Sequence, residues 1–369
     1  MTSRPAPATA LRRAVERCVQ RKHFPGAVYL VARGDAVLSW EAVGRTSPLR
    51  GQGRPMTLQT VFDLASLTKP IVTASLFLQL MAEGSLRPSD RAEKFFPELR
   101  GRWIGKTSLK ELLLHVSGLP AWHPLYVQGR GRQAYLSVLK SLPPAYPPGR
   151  KVEYSCLGYI LLGFILERVA GKRLDALFGE RIARPLGLRR TRFRLPASWK
   201  ARVAPTERGN ALEKAMAGRM GLRSGVPWRT RVLHGECHDG NTYHLGGVAG
   251  NSGLFSAAWD LYVIARSLLR PDDGRVVPEP MKRLIFRDAT GSLRGGRTLG
   301  WKTAAAAPEA EPLSENAVGH NGFSGASLWI DSRDRGVYIL LTNRVHPKVK
   351  PEGIRQCRRE FHRYASRLH

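Results

Sequence analysis

Phe62-Asp63-Leu64-Ala65-Ser66-Leu67-Thr68-Lys69-Pro70 is the stretch on which the reading of this 369-residue chain turns. A serine hydroxyl is a weak nucleophile near neutral pH and needs a base beside it. If a helix opens at Ser66, Lys69 stands one turn further on, and the two side chains share a face at roughly 5–6 Å between Cβ atoms. The amine is then within reach of the serine proton. The expectation is that burial and a second cation depress the lysine toward neutrality, so that it serves as a base. Pro70 suits the first helical turn, where its missing N–H costs nothing. The same helix start leaves free N–H groups and a positive dipole end beside Ser66, which favour the oxyanion of acyl transfer. On spacing alone, S-x-x-K also reads as a serine cap with a surface lysine, so the tetrad needs support from elsewhere in the chain.

Working outward, Leu11, Val15, Cys18 and Val19 recur at helical spacing within Ala8 to Gln20. The turn Phe24-Pro25-Gly26 ends that helix. Ala27 to Arg33 and Val37 to Val43, separated by Gly34-Asp35, predict a β-hairpin. The Ser66 helix then runs to about Met81. Residues 84–245 look mainly helical, with Leu157, Ile160, Leu161, Phe164 and Ile165 marking the clearest amphipathic helix. Strand signals return at Ala326 to Ile330 and Gly336 to Leu341, and a last helix starts near Glu352. Thr303 to Pro312 reads as a flexible low-complexity loop. The fold class expected is therefore α/β of the α+β kind: an antiparallel sheet flanked by helices and built from both chain ends, residues 1–83 and 246–369. Residues 84–245 form an inserted, mainly helical domain, and the cleft between the two is the natural active site.

Composition narrows the function classes. A hydrophobic fraction of 43% is ordinary for a folded protein. The longest near-continuous apolar run, Leu157 to Leu166, falls well short of the roughly 18 residues of a membrane span. The first twenty residues carry Arg4, Arg12, Arg13, Glu16 and Arg17 and lack a secretory pattern, so the expected location is cytoplasmic as written, and extracytoplasmic if the true start lies upstream. Cys18, Cys156, Cys237 and Cys357 are scattered, without C-x-x-C pairs, and read mostly as buried free thiols. The net charge of +30 comes from 45 arginines and 14 lysines spread along the chain. It predicts nonspecific polyanion binding, but no dedicated nucleic-acid module is recognisable. His238-Asp239 lacks the partners of a metal motif and is expected to make a loop hydrogen bond, so neither metal nor cofactor is called for.

Further segments support the tetrad. Tyr154-Ser155-Cys156 lies in a turn before the Leu157 helix, where a phenol can project into the cleft. His320-Asn321-Gly322 precedes a strand region, Phe323 to Ile330, placing a basic side chain and a glycine at a sheet edge where a substrate backbone could approach. Together with Leu114-His115-Val116-Ser117-Gly118-Leu119-Pro120 and Gly246-Gly247-Val248-Ala249-Gly250, these segments resemble the serine β-lactamase and penicillin-binding-protein superfamily, in its class C β-lactamase-like branch of esterases and D-alanyl-D-alanine carboxypeptidases. The resemblance spans about Phe24 to Asn343. Its first motif, S-x-x-K, falls on Ser66 and Lys69, its second on Tyr154-Ser155 and its third, K-T-G or H-x-G, on His320-Asn321-Gly322.

The resemblance implies a β-lactamase/transpeptidase-like fold and a metal-independent serine hydrolase without cofactor. Ser66 would form the acyl-enzyme, with Lys69 and Tyr154 sharing its proton. The backbone N–H groups of Ser66 and Phe323 would form the oxyanion hole, and Asn321, Gly322 and Cys156 would border the substrate. His320 would orient a substrate carboxylate or polarise Tyr154, with a charge that varies near neutral pH. The implied substrates are small esters or D-amino-acid amides. D-alanyl-D-alanine carboxypeptidase or weak β-lactamase activity is the enzymatic alternative, and a silent relative that binds cell-wall fragments or polyanions is the non-enzymatic one. Cys156 stands where relatives carry an amide or carboxylate, which counts against β-lactam and peptide turnover. Asn251-Ser252 replaces the family's histidine and alanine at the pocket wall.

Overall fold

The computed structural model describes residues 7–49, 51, 53–222, 225, 228–350 and 352–369. Eight strands form two sheets: β1 (Gly26–Arg33), β2 (Ala36–Gly44), β3 (Phe62–Asp63), β4 (Phe255–Ser256), β5 (Lys302–Thr303), β6 (Ala317–Asn321), β7 (Ser327–Asp331) and β8 (Gly336–Thr342). Six of them make an antiparallel sheet in the order β2-β1-β8-β7-β6-β5, and β3 pairs with β4. The first hairpin thus docks directly on the last strand, with Leu30 opposite Ile339. Between β3 and β4 the described residues hold helices and loops but no strand.

Alternation along β1 sorts its side chains onto two faces. Ala27, Tyr29 and Val31 pack with Trp329, Tyr338 and Leu340 under the terminal helices Pro7–Gln20 and Ile354–Ala365. Val28, Leu30 and Ala32 join Leu328, Ile330, Val337 and Ile339 on the other face, in the large core shared with the inner helices. With both faces covered, all seven residues of β8 are buried, so its sequence reads as a continuous apolar run.

Several expectations are corrected here. Cys18 and Cys357 are not free thiols: they form a disulfide joining the first and last helices, while Cys156 and Cys237 remain free. Thr303 to Pro312 is not a loose loop. Ala304, Ala307 and Ala310 are buried in the core beneath the terminal helices, and the Glu309 carbonyl accepts from His362 Nδ1 at 2.7 Å. Alanines at this spacing let a non-repetitive segment pack closely, a property that composition does not reveal. His320 and Asn321 themselves end a strand, β6, and the strand expected after them begins at Ser327 rather than at Phe323.

Two helical segments position the site. The first, 65–82, changes pitch along its length, from a 3-10 turn (Ala65–Leu67) through a π-helical stretch (Lys69–Ala74) to an α-helix (Ser75–Ala82). It is apolar enough to pass for a membrane span, but 89% of it is buried inside the protein. The second, Cys156–Ala170, is capped by Ser155 and ended by Gly171 in a left-handed conformation. It approaches the glycine loop closely: a Cβ on Gly163 would lie 2.8 Å from Gly250 N, and one on Gly250 would lie 2.1 Å from Tyr159 O. Only glycine permits that contact, which holds Asn251 against the start of the first helix.

Candidate active site

The nucleophile segment leaves β3 by a sharp turn. Asp63, fully buried, accepts hydrogen bonds from Ala65 N and from His238 N, each at 2.8 Å. Ala65 adopts a left-handed φ of 46°, uncommon for a side chain with a Cβ and stabilised here by the Asp63 contact. Ser66 follows in the first helical turn, where Leu67 N donates to Leu64 O at 3.1 Å and Ser66 N has no acceptor among the described residues. Lys69 Nζ lies 3.0 Å from Ser66 Oγ, 3.0 Å from Asn251 O and 3.5 Å from Cys156 Sγ. The surface-lysine reading is excluded, because Lys69 is completely buried.

The charge on Lys69 differs from the sequence expectation. Burial pushes its pKa down, but Cys156 and Tyr154, whose anionic forms would lie against the amine, push it up further, and the net shift is upward. Three acceptors around one nitrogen match the three N–H bonds of an ammonium. The direction is upward, opposite to the depression expected from the sequence. Burial raises the Tyr154 phenol against the opposing pull of Lys69, and raises the Cys156 thiol in the same way. Tyr154 Oη is enclosed without a hydrogen-bond partner, and Lys69 Nζ sits 4.9 Å from the centre of its ring. The ring lies against His115, tilted to it with centroids 4.7 Å apart, and His115 stacks on Tyr159 and accepts from Ser155 N at 3.0 Å through Nδ1. His115 serves the second motif as well as its own loop. Burial, with Arg297 and Lys69 nearby, keeps it neutral.

The third motif is close by but divided in its roles. His320 Nδ1 donates to Asn321 O at 3.0 Å, which leaves the Nε2 lone pair buried without a partner. Its charge does not vary near neutral pH: burial first, then Arg297 and Lys69, drive its pKa well below the usual histidine value. The Asn321 amide is already committed, donating to Glu309 Oε1 at 2.6 Å and accepting from Ser327 Oγ at 2.9 Å. What approaches Gly322 is the protein's own backbone, since a Cβ there would lie 2.4 Å from Leu64 O. Phe323 is partly exposed, and its N–H has no acceptor among the described residues.

A cavity of about 320 Å³ opens onto Ser66, Tyr154, His320 and Phe323 and is walled further by Arg297 and Lys302. A larger one, about 620 Å³, is lined by Arg54, Lys200, His234 and His346 and contains none of the three motifs. Sequence reading missed Arg297, Lys302 and Glu309, whose surroundings Gly295-Gly296 and Ala304 to Ala307 carry no pattern that marks a site. His238 pairs with Glu207 at 2.9 Å, the loop contact expected of it. A hydroxyl beside a buried amine, an enclosed phenol and two unpaired N–H groups form a set that can carry out acyl transfer without a metal.

Comparison with known proteins agrees with this arrangement. The family profile described as beta-lactamase matches residues 11–359. A "Putative D-alanyl-D-alanine carboxypeptidase" of Escherichia coli K12 is 32% identical over 88% of this chain and 80% of its own length. An N-acetylmuramyl-L-alanine amidase of Bacillus subtilis 168 is 31% identical over 92% of this chain and 82% of its own. Among solved structures, a class C beta lactamase from Rhodobacter sphaeroides superposes with a TM-score of 0.73 at 20% identity, covering 98% of this chain and 100% of that one. By its motifs, its fold and these relatives, the chain belongs to the beta-lactamase family of serine hydrolases.

Proposed function

We propose that the protein cleaves amides or esters of D-amino-acid or muramyl-peptide type through an acyl-enzyme on Ser66. The observation that carries this reading is the 3.0 Å contact between Ser66 Oγ and the buried Lys69 Nζ at the edge of a cavity that Tyr154 also borders. Loss of one proton from the Lys69–Tyr154 pair makes a base that takes the hydroxyl proton as Ser66 attacks the carbonyl. The same proton passes to the leaving amine or alkoxide, and the N–H groups of Ser66 and Phe323 receive the oxyanion. Water repeats the sequence on the acyl-enzyme.

The relatives' names, one a carboxypeptidase and one an amidase, support amides of cell-wall peptides over simple esters as the natural class. The Cys18–Cys357 disulfide fits an oxidising compartment, where such substrates occur. Against this stands Cys156, which in the place of an amide or carboxylate lacks the donor and acceptor that would hold a β-lactam or a peptide, and which keeps esters as the alternative class.

Intact-protein mass spectrometry after treatment with a fluorophosphonate probe and with a fluorescent penicillin tests the reading. A fluorophosphonate adduct lost in Ser66→Ala and Lys69→Ala is expected. Folded wild-type protein that forms no adduct with either probe would refute the acyl-enzyme and favour a silent binder.

A further inference from the structure

We infer that Asp63 is a positioning residue for the oxyanion hole, holding the Ser66 and Phe323 N–H groups in place from outside the cavity; its chemistry rests on the acyl-enzyme reading. Asp63 is 1% exposed and is not among the residues that wall the cavity beside Ser66. It therefore touches neither substrate nor reacting atoms, and acts through three segments that it joins.

The first segment is the nucleophile turn. Asp63 ends β3 and is anchored there by its pairing with Phe255 of β4. Two residues on, the left-handed φ of 46° at Ala65 is a conformation that a residue with a Cβ leaves unless something holds it. Asp63 Oδ1 holds it, accepting from Ala65 N at 2.8 Å. The peptide between Ala65 and Ser66 carries the Ser66 N–H, so the aim of that donor follows from the conformation of Ala65.

The second segment is the turn after Gly322, which carries the other donor. Ser324 is buried and its Oγ donates to Asp63 O at 2.6 Å, which pins the turn one residue past Phe323. The third is the loop that contains His238. Asp63 Oδ2 accepts from His238 N at 2.8 Å, and the His238 ring lies 5.5 Å from that of Phe323. Arg344 completes the seat of Phe323, with its guanidinium 4.8 Å from the ring centre and its Nε donating to Phe323 O at 2.9 Å.

One residue thus fixes both donors: its two carboxyl oxygens take two backbone N–H groups, and its carbonyl takes the serine hydroxyl. Burial raises the carboxyl's pKa, and the two N–H bonds oppose that shift. An asparagine would turn an NH2 toward one of the two N–H groups, and Ala65, the strained partner, is the one released. Donors referred to one rigid point keep their separation, which a preorganised oxyanion site requires.

The test follows Ser66 labelling by the fluorophosphonate probe, kcat and KM for 4-nitrophenyl acetate, and the urea midpoint. Asp63→Asn should label at least about tenfold more slowly, with kcat lowered and KM within about twofold of wild type. Adding Ala65→Gly, which adopts the left-handed φ without strain, should make that variant label at least about threefold faster while its urea midpoint does not rise. A residue that served stability alone would show no such recovery. Ser324→Ala leaves both carboxyl contacts in place, and so decides the matter even where Asp63→Asn does not fold; it should label at least about threefold more slowly than wild type. A smaller effect in either single variant, or a double variant no faster than Asp63→Asn, overturns the inference while leaving the acyl-enzyme standing. Wild-type protein that forms no Ser66 adduct would refute the acyl-enzyme, and the inference with it.

Discussion

Gly322→Ala isolates the contact that joins the third motif to the nucleophile segment. Gly322 is not among the glycines with a left-handed φ, so an alanine can take its backbone conformation without strain. The only obstacle is space. The added Cβ would lie 2.4 Å from Leu64 O and 3.2 Å from the Ala326 Cβ. Leu64 is fixed by its own N–H, which bonds Leu254 O at 2.9 Å, and the turn after Gly322 is closed by Gly322 N donating to Ala326 O at 2.7 Å. Ordinary contact begins near 3.4 Å, so the end of β6 must move outward by about 1 Å, carrying the Phe323 N–H with it.

Overpacking of this kind typically costs about 1–3 kcal/mol of stability, which a protein of this size can tolerate. A 1 Å displacement of an oxyanion donor is worth on the order of a hundredfold in rate. The expected result is a folded variant whose Ser66 reacts with the fluorophosphonate about a hundred times more slowly, with a small fall in the urea midpoint. Gly218→Ala, where the added methyl meets nothing within 4 Å, serves as the control. A Gly322→Ala labelling rate within about threefold of wild type would refute the argument that this contact sets the oxyanion geometry.

Other consequences can be measured independently. Because Lys69 and Tyr154 are both shifted upward, the pair becomes a base only as protons leave above neutrality, so the acylation rate should climb through the alkaline range. Histidine His320, held neutral, should add no inflection between about pH 6 and 7, and a pH–rate profile with an inflection there that disappears in His320→Gln would contradict this. Glu213 is buried and pushed up to about 7 by burial and then by Asp239. A carboxyl whose folded pKa is raised stabilises the fold at low pH, and that contribution is lost as pH rises toward 7. Glu213→Gln should therefore be the more stable protein above pH 7, by roughly 1–3 kcal/mol in urea melts, and equal stability at pH 8 would count against the assignment. Thiol titration of the denatured, unreduced protein should find two thiols, and four after reduction. Four from the outset would remove the disulfide.

The first hairpin and the Ser66 helix were legible because their signals are local: β-branched and aromatic residues on either side of Gly34-Asp35, and the strongly apolar run that follows Lys69-Pro70. Strand β6 was not legible. Ala317-Val318-Gly319-His320-Asn321 has little strand propensity, and its pairing depends on a distant partner, Trp329, whose ring fills the space a Cβ on Gly319 would need. The Cys18–Cys357 bond escaped for a related reason, since it joins helices adjacent only once the sheet is assembled. The nucleophile motif gave Ser66 and Lys69 their identities but not their charge states. The Lys69 proton depends on Cys156, Tyr154 and the carbonyl of Asn251, which come from other parts of the chain. Arg297 was hidden in the opposite way: the chain is crowded with arginine, and nothing local marks the ones that reach the cavity beside Ser66.

The pairing of β1 with β8 also sets a timetable. Ala27 finds its neighbour only at Thr342, on the order of 300 residues later in synthesis. At roughly 5–20 residues per second, the serine and lysine emerge from the ribosome tens of seconds before the strand that carries His320 and the turn that carries Phe323 exist. The nascent chain therefore holds its nucleophile without an oxyanion hole or a closed cavity. The site therefore closes only once the last strand of the sheet is in place.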